Sequence, residues 1–205
     1  MWKPMLITAL IGYLLGNLNG AVSMSVLQGK DDVRSKGSGN AGLTNFIRNF
    51  GKAQAILVVL IDMSKAILAC VAGGLMLAPF ELELEGMMLG AVAVSLGHDF
   101  PALLGFRGGK GVLSGFAIAM TIDYRCGLII LGIFAISFVI TRYVSLSSIL
   151  GAIGFCVSFA VLYHDRIWVM LGGIFIGAMA VFMHRTNIQR LIKGTESRVT
   201  FGKKE

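Results

Sequence analysis

The chain has 205 residues, 56% of them apolar and only 14% charged, with a net charge of +7. A soluble domain carries about 25% charged residues, so this chain has too few to wet a globular surface. That sets aside a soluble enzyme, a nucleic-acid-binding domain and a disordered tail. What remains is an all-α, polytopic integral membrane protein, read as a single domain over residues 1–205, whose 27 glycines suit the glycine tolerance of membrane helices.

Seven apolar spans are predicted in chain order, near residues 4–27, 53–78, 86–106, 109–123, 125–141, 145–163 and 166–184. A bilayer core about 30 Å thick takes roughly 20 apolar residues per helix. The fourth span is the short one, because the strictly apolar run from Val112 to Ile122 would rise only about 16 Å as a helix. Ala21-Val22-Ser23 faintly resembles a signal-peptide cleavage site, but the polar run Gly16-Asn17-Leu18-Asn19-Gly20 and the single Lys3 argue against a cleaved leader.

Orientation follows from the loops. With the N-terminus outside and seven crossings, the inner loops and tail collect 14 basic residues, among them Arg48, Arg107, Lys110, Arg142, Arg185, Lys203 and Lys204, against three outside, Lys3, Arg125 and Arg166. The excess of Lys and Arg in cytoplasmic loops therefore places the C-terminus in the cytoplasm, and the acidic turn at 79–85 outside. The three cysteines, Cys70, Cys126 and Cys156, are widely spaced in or beside apolar runs, form no CxxC pair and read as small core residues rather than a disulfide framework or a zinc site.

The polar, glycine-rich segments all fall on the inner side. The first contains Gly37, Ser38, Asn40, Thr44, Asn45 and Arg48; if 43–50 is helical, Thr44 and Arg48 share a face, and Arg48 can grip phosphate with its planar fork. The second runs from Gly97-His98 to Gly108-Gly109-Lys110-Gly111, just ahead of the fourth span. Its backbone N–H groups are expected to be free at a helix N-terminus, where glycines admit an anion closely and Lys110 adds charge. The third holds Ser145 and Ser148, and the tail opens with His184 and Asn187, three apart on one face if the helix continues. Plainer readings stand beside these: a glycine turn at the membrane surface, Arg48 as a topology anchor, His184 as an interfacial histidine, and Tyr143 and Trp168 as interface anchors. Asp62 and Lys65 lie three apart inside the second span; charges there are costly and functional by default, and a structural ion pair is their simplest role.

Several chemistries are absent from the pattern. Gly111 follows Lys110 where a P-loop needs Ser or Thr, and Leu104 stands where its first glycine belongs. No His is followed by four residues and Asp, the acid–base pattern of many glycerolipid acyltransferases. HExxH and GxSxG are also missing.

Taken together, Gly37-Ser38-Gly39-Asn40 through Gly42, Thr44-Asn45 and Arg48, then Asp62 and Lys65, then Gly97-His98, Pro101 and Gly108-Gly109-Lys110-Gly111, then Tyr143-Val144-Ser145, and finally His184, Asn187, Arg190 and Gly194-Thr195-Glu196 resemble the bacterial acyl-phosphate:glycerol-3-phosphate acyltransferases of the PlsY type. The likeness spans nearly the whole chain. Departures are local: Leu18-Asn19-Gly20 where a proline is usual, Ala66 where glycine is usual, and Ala41 before Gly42. The resemblance implies an enzyme of phospholipid synthesis in the bacterial inner membrane, with its site facing the cytoplasm. It implies transfer of a fatty acyl group from acyl phosphate to the 1-hydroxyl of glycerol 3-phosphate, giving lysophosphatidate and inorganic phosphate. Membrane lipid is the surrounding partner, and no nucleic acid, metal, cofactor or obligate protein partner is implied.

On that reading Ser38, Arg48, Lys110, His184 and Asn187 carry the chemistry. Gly37, Asn40, Thr44, Asn45, His98, Gly108, Gly109, Gly111, Ser145 and Ser148 bind substrate, while Asp62, Lys65 and Glu196 are structural. The general base stays open between His184 and the phosphate of glycerol 3-phosphate. A small anion or phosphate transporter, and a membrane assembly protein whose glycine motifs are incidental turns, are the alternatives.

Overall fold

The structure, a computed structural model, describes residues 1–200, so Lys203 and Lys204 lie outside the described residues. Among the described residues every regular element is helical. The helices are α1 (Trp2–Asn17), α2 (Gly20–Leu27), α3 (Leu43–Phe50), α4 (Ala55–Leu77), α5 (Glu83–Asp99), α6 (Val112–Ile122), α7 (Tyr124–Thr141), α8 (Val144–Leu162), α9 (Ile167–Met183) and α10 (Arg185–Ile192).

The molecule is inside-out relative to a soluble protein. Its outer belt is apolar, with Leu10, Leu60, Leu75, Val139, Val161 and Trp168 among the exposed side chains, while the core is built largely from Ala66, Ala69, Ala91, Ala117, Val94, Cys70, Cys126, Phe155 and Phe159. Small interior residues let helices approach by backbone contact where no water drives association. Gly73 and Gly86 show this best: a Cβ on either would overlap the carbonyl of the other, so α4 and α5 touch backbone to backbone. The central helix α5 packs on α1, α4 and α9, while α7 and α8 form the other side and α6 bridges the two. Cys70 and Cys126 are buried and Cys156 half-buried, all unpaired.

The first expected span is a broken helix, and the seventh, expected to end at residue 184, turns there into a further short helix. The α1–α2 pair bends by 43° because Leu18 and Asn19 take extended backbone angles. Asn19 then caps α2, its Oδ1 accepting from Val22 N at 3.0 Å, while its Nδ2 donates to Ala41 O at 3.0 Å. The α9–α10 pair bends by 53° at His184. Seven helical regions therefore stand where seven spans were expected, but the crossing count is smaller by length and composition. Among the described residues four helices are long and apolar enough to span, or six if each bent pair counts as one, and α6 with its 11 residues is the short exception.

A smaller second core, centred on Val33, Ala41, Phe46, Phe50 and Val58, supports the segment 28–42 and the amphipathic α3. Phe46 and Phe50 stack at 5.3 Å on its inner side, which turns Thr44 and Arg48 outward together, as the four-residue spacing predicts.

Candidate active site

The polar segments converge on one cavity of about 560 Å³. Gly37, Ser38, Asn40, Thr44, Asn45 and Arg48 form one wall; Lys110 and Gly111 stand at the start of α6, Ser145 and Ser148 at the start of α8, and His184 and Asn187 at the α9–α10 bend. His98, Asp62 and Glu196 also reach it, while Gly108, Gly109 and Lys65 do not line it. The apolar side chains Val112, Leu113, Phe134 and Val144 complete the lining. A basic mouth with an apolar flank suits a molecule that carries both a phosphate and an acyl chain.

Within the first wall the roles divide. Asn45 is buried and spends its bonding capacity on the loop: Oδ1 accepts from Ser38 N and Asn49 Nδ2, each at 3.0 Å, and Nδ2 faces the carbonyls of Val33, Lys36 and Asn40 at 2.9, 3.0 and 3.1 Å. It shapes the Gly37–Asn40 turn and leaves ligand contact to exposed Ser38, Thr44 and Arg48. Arg34, counted in the sequence only as loop charge, is a staple. One edge holds Asp32 at 2.7 Å, and Nη1 donates to Leu104 O at 2.6 Å and Arg107 O at 3.1 Å, tying this wall to the glycine loop.

The glycine loop departs from expectation. The N–H groups of Gly108 and Gly109 are not free; they donate to Asp99 O at 3.2 Å and His98 O at 3.0 Å. Those glycines are there for close approach, since a Cβ on Gly109 would overlap the His98 ring. Pinning the loop onto the end of α5 satisfies carbonyls that a helix C-terminus leaves open and delivers Lys110 to the cavity.

Opposite, Lys110 Nζ donates to Asn187 Oδ1. Asn187 Nδ2 donates to Glu196 Oε1 at 2.9 Å, and Arg190 Nε donates to Glu196 Oε2 at 2.7 Å. The tail beyond α10 is held over this side by Val199 N donating to Arg142 O at 2.9 Å and by Arg198 stacked on Tyr143 at 4.8 Å. Tyr143 thus serves the tail, whereas the Trp168 ring is exposed at the start of α9. Ser148 Oγ donates to Val144 O at 2.8 Å. Ser145 Oγ is buried with no hydrogen bond of normal geometry, though near enough to Glu196 to favour its charged form. His184 Nδ1 lies 2.8 Å from Ala180 O; a carbonyl only accepts, so Nδ1 carries the proton and Nε2 keeps a lone pair. Arg190, Asn49 and Phe134 are cavity residues that the sequence reading did not assign to the site.

Burial, and then the positive charge of Arg190 and Arg185, lowers the Lys110 ammonium to about 8, with Glu196 opposing. Burial pushes the Glu196 carboxyl up, but the bonds from Arg190 and Asn187 outweigh it and hold it below its ordinary value. The site is therefore cationic at neutral pH, because its two carboxylates are already engaged, Glu196 by Arg190 and Asn187 and Asp62 by Lys65.

Behind the cavity, Asp62 and Lys65 form the expected ion pair, with Oδ1 and Nζ 2.9 Å apart and both side chains buried. Lys65 Nζ also donates to Leu18 O, and to Gly16 O at 3.4 Å, the carbonyls freed by the α1–α2 break. Asp62 Oδ1 accepts from Gly20 N at 3.2 Å on the other side of that break. Among the described residues no cluster of three or more His, Cys, Asp and Glu could hold a metal ion.

The family pattern described as "Glycerol-3-phosphate acyltransferase" matches residues 6–194. A protein of that name from Thermoanaerobacter pseudethanolicus is 37% identical over 193 residues, covering 94% of both chains, and one from Clostridioides difficile is 34% identical over 200 residues, covering 95% of both. Among solved structures, PlsY, described as an integral membrane glycerol 3-phosphate acyltransferase, superposes in its glycerol 3-phosphate form with a TM-score of 0.84 at 31% identity, covering 96% of each chain. Its lysophosphatidic acid form gives 0.81 at 30% identity, over 96% of this chain and 95% of that one.

Proposed function

Since the chain belongs to the glycerol-3-phosphate acyltransferase family, we propose that it moves a fatty acyl group from acyl phosphate to the 1-hydroxyl of glycerol 3-phosphate. The products are lysophosphatidate and inorganic phosphate. The observation that carries this reading is the single cavity in which Ser38, Arg48, Lys110, His184 and Asn187 meet beside the apolar flank of Leu113, Phe134 and Val144. Two phosphate-bearing substrates need two cationic zones, and the cavity has them: Arg48 on α3, and Lys110 with Arg190 across from it.

In the reaction the hydroxyl oxygen attacks the acyl carbonyl carbon, the carbon–oxygen bond to phosphate breaks, and phosphate leaves with the electron pair. An acyl phosphate is a mixed anhydride with a good leaving group, so positioning and charge neutralisation do most of the work. Lys110, Asn187 and Arg48 neutralise phosphate, and Ser38, Thr44, Ser145 and Ser148 orient it. The hydroxyl proton goes either to His184 Nε2 or to the phosphate of glycerol 3-phosphate. Turnover of His184→Gln decides: retention within about tenfold assigns the proton to the substrate phosphate, while a fall of about 100-fold or more, in the usual range for general-base loss, assigns it to His184.

The proposed topology has seven crossings in the bacterial inner membrane, with the N-terminus outside and the cavity opening to the cytoplasm. It is supported by the distribution of 14 basic residues on the inner side against three outside. The 11-residue α6 crosses because the loop before it is buried against α5, and irregular backbone at membrane depth is tolerated where protein covers it.

The direct test is turnover by purified protein in lipid, with labelled glycerol 3-phosphate and a long-chain acyl phosphate, beside acyl-CoA and Arg48→Ala controls. Lysophosphatidate from acyl phosphate alone, reduced about 100-fold or more in the variant, is expected; product from acyl-CoA alone would overturn the donor. The pH profile checks the site independently. Lys110 is protonated below about 8 and neutral above it, so kcat/KM for glycerol 3-phosphate should fall as pH rises through that value. In Lys110→Arg the guanidinium stays charged and the alkaline fall should disappear, whatever its effect on the plateau.

A further inference from the structure

The buried Asp62–Lys65 pair is expensive, and closing the α1–α2 break accounts for only part of its contacts. The remaining one is His98 near the end of α5, whose Nδ1 lies 2.8 Å from Lys65 Nζ. An ammonium has three N–H bonds and no lone pair. Around Lys65 stand only acceptors: Asp62 Oδ1, Leu18 O, Gly16 O and His98 Nδ1. His98 Nδ1 therefore presents its lone pair to Lys65, and the imidazole proton sits on Nε2. That nitrogen lies against Gly109, where any Cβ would overlap it. No described residue accepts a hydrogen bond from it, and His98 lines the cavity next to Lys110 and Gly111. The Asp62 carboxylate, 3.8 Å from Nδ1, is too far to take a proton from it directly.

We propose that His98 is a fixed neutral donor to the reacting anion, and that the Asp62–Lys65 pair is the positioning device that keeps its proton on Nε2, aimed at the cavity. This rests on the acyl-transfer reading of the site. Its chemistry is that of an electrophilic imidazole: a donor placed where negative oxygen gathers, with no proton lost during the reaction. The acceptor is an anionic oxygen, either on a bound phosphate or on the carbonyl as the hydroxyl adds. The device explains three features together: why charges are buried in α4, why a glycine must follow Gly108, and why the glycine loop is pinned onto the helix that carries His98. A neighbouring group that bonds one ring nitrogen and so fixes the proton on the other is how such rings are oriented elsewhere.

Two measurements test it on the full chain in lipid or detergent. The first is nitrogen NMR of protein labelled at histidine, feasible because the chain has three histidines; the His98 signals are those lost in His98→Gln. A ring protonated on Nε2 with a bare Nδ1, and an Nε2 signal that moves on adding glycerol 3-phosphate or inorganic phosphate, is the expected result. Protonation on Nδ1, or a signal indifferent to both anions, would overturn the proposal even if the protein proved inactive with acyl phosphate, so its failure is separable from that of the reaction itself.

The second is the contrast between two amides. His98→Gln places an N–H donor near the position of Nε2 and should keep turnover within about tenfold, whereas His98→Asn places it near Nδ1 and should lose about 100-fold. A rise in KM for glycerol 3-phosphate puts the bond on that phosphate, and a fall in kcat alone puts it on the transferring group. Equal loss in both variants at unchanged thermal stability would reduce His98 to packing. Lys65→Met should mix the tautomers in the spectrum; if that variant does not fold, the Gln–Asn contrast still decides.

Discussion

Lys110→Ala is expected to lower kcat/KM by about 100- to 1,000-fold, the range for loss of one preorganised donor to developing charge, with thermal stability little changed. The side chain is held in the cavity by Asn187 Oδ1 and faces the charges of Arg190, Glu196 and Arg185, so its loss removes a cation from the place where phosphate must sit. The structural cost is small because Lys110 lies outside both apolar cores and its loop is fixed by the backbone bonds of Gly108 and Gly109. The loss should fall on both KM and kcat, since one phosphate is bound and another departs in the same space. Steady-state kinetics in lipid, with the melting temperature measured beside them, check this. A variant that keeps wild-type kcat/KM would move the phosphate site to the Arg48 side. Lys110→Arg should recover part of the loss by charge alone, because its fork cannot reproduce the single-point contact to Asn187.

Much of this was legible in the sequence, and for identifiable reasons. Periodic apolar stretches and their polar interruptions placed every major helix, because hydropathy and backbone satisfaction in a bilayer leave few alternatives. Thr44 and Arg48 share a face as their spacing required, whereas His184 and Asn187 meet in the cavity across the α9–α10 bend rather than along one continuous helix. Long-range use of polar groups was not legible. Glycines at 108 and 109 looked like an anion cradle, yet their N–H groups are consumed by α5 carbonyls; periodicity carries no information about which distant carbonyl lies opposite. Asn45 looked like a ligand and is a loop organiser, while Arg34 looked like a topology charge and clasps two loops. The bend at Leu18 was visible only as a polar run. Its consequence, two carbonyls turned toward Lys65, needed the packing of α4 against α1.

That packing sets the other large expected effect. Asp62→Ala should destabilise the protein by about 3–5 kcal/mol, the cost of leaving one partner of a buried ion pair alone. Two groups lose their partner: Lys65, only 2% exposed at its side chain, and the Gly20 N–H that donates to Asp62 Oδ1 at 3.2 Å. Asp62→Asn should be milder, because an amide oxygen can still accept from Gly20. The double variant Asp62→Ala/Lys65→Met should recover much of the stability, since removing both charges leaves no uncompensated ion and methionine fills the space of the lysine stem. Thermal unfolding of the three variants and wild type in one detergent is the measurement; equal melting temperatures for Asp62→Ala and wild type would show that the break is held by its other bonds. The double variant separates stability from reactivity. With Lys65 gone nothing fixes the His98 proton, so a chain that is folded but slow would show the intramembrane charges to be retained for the chemistry rather than for the fold.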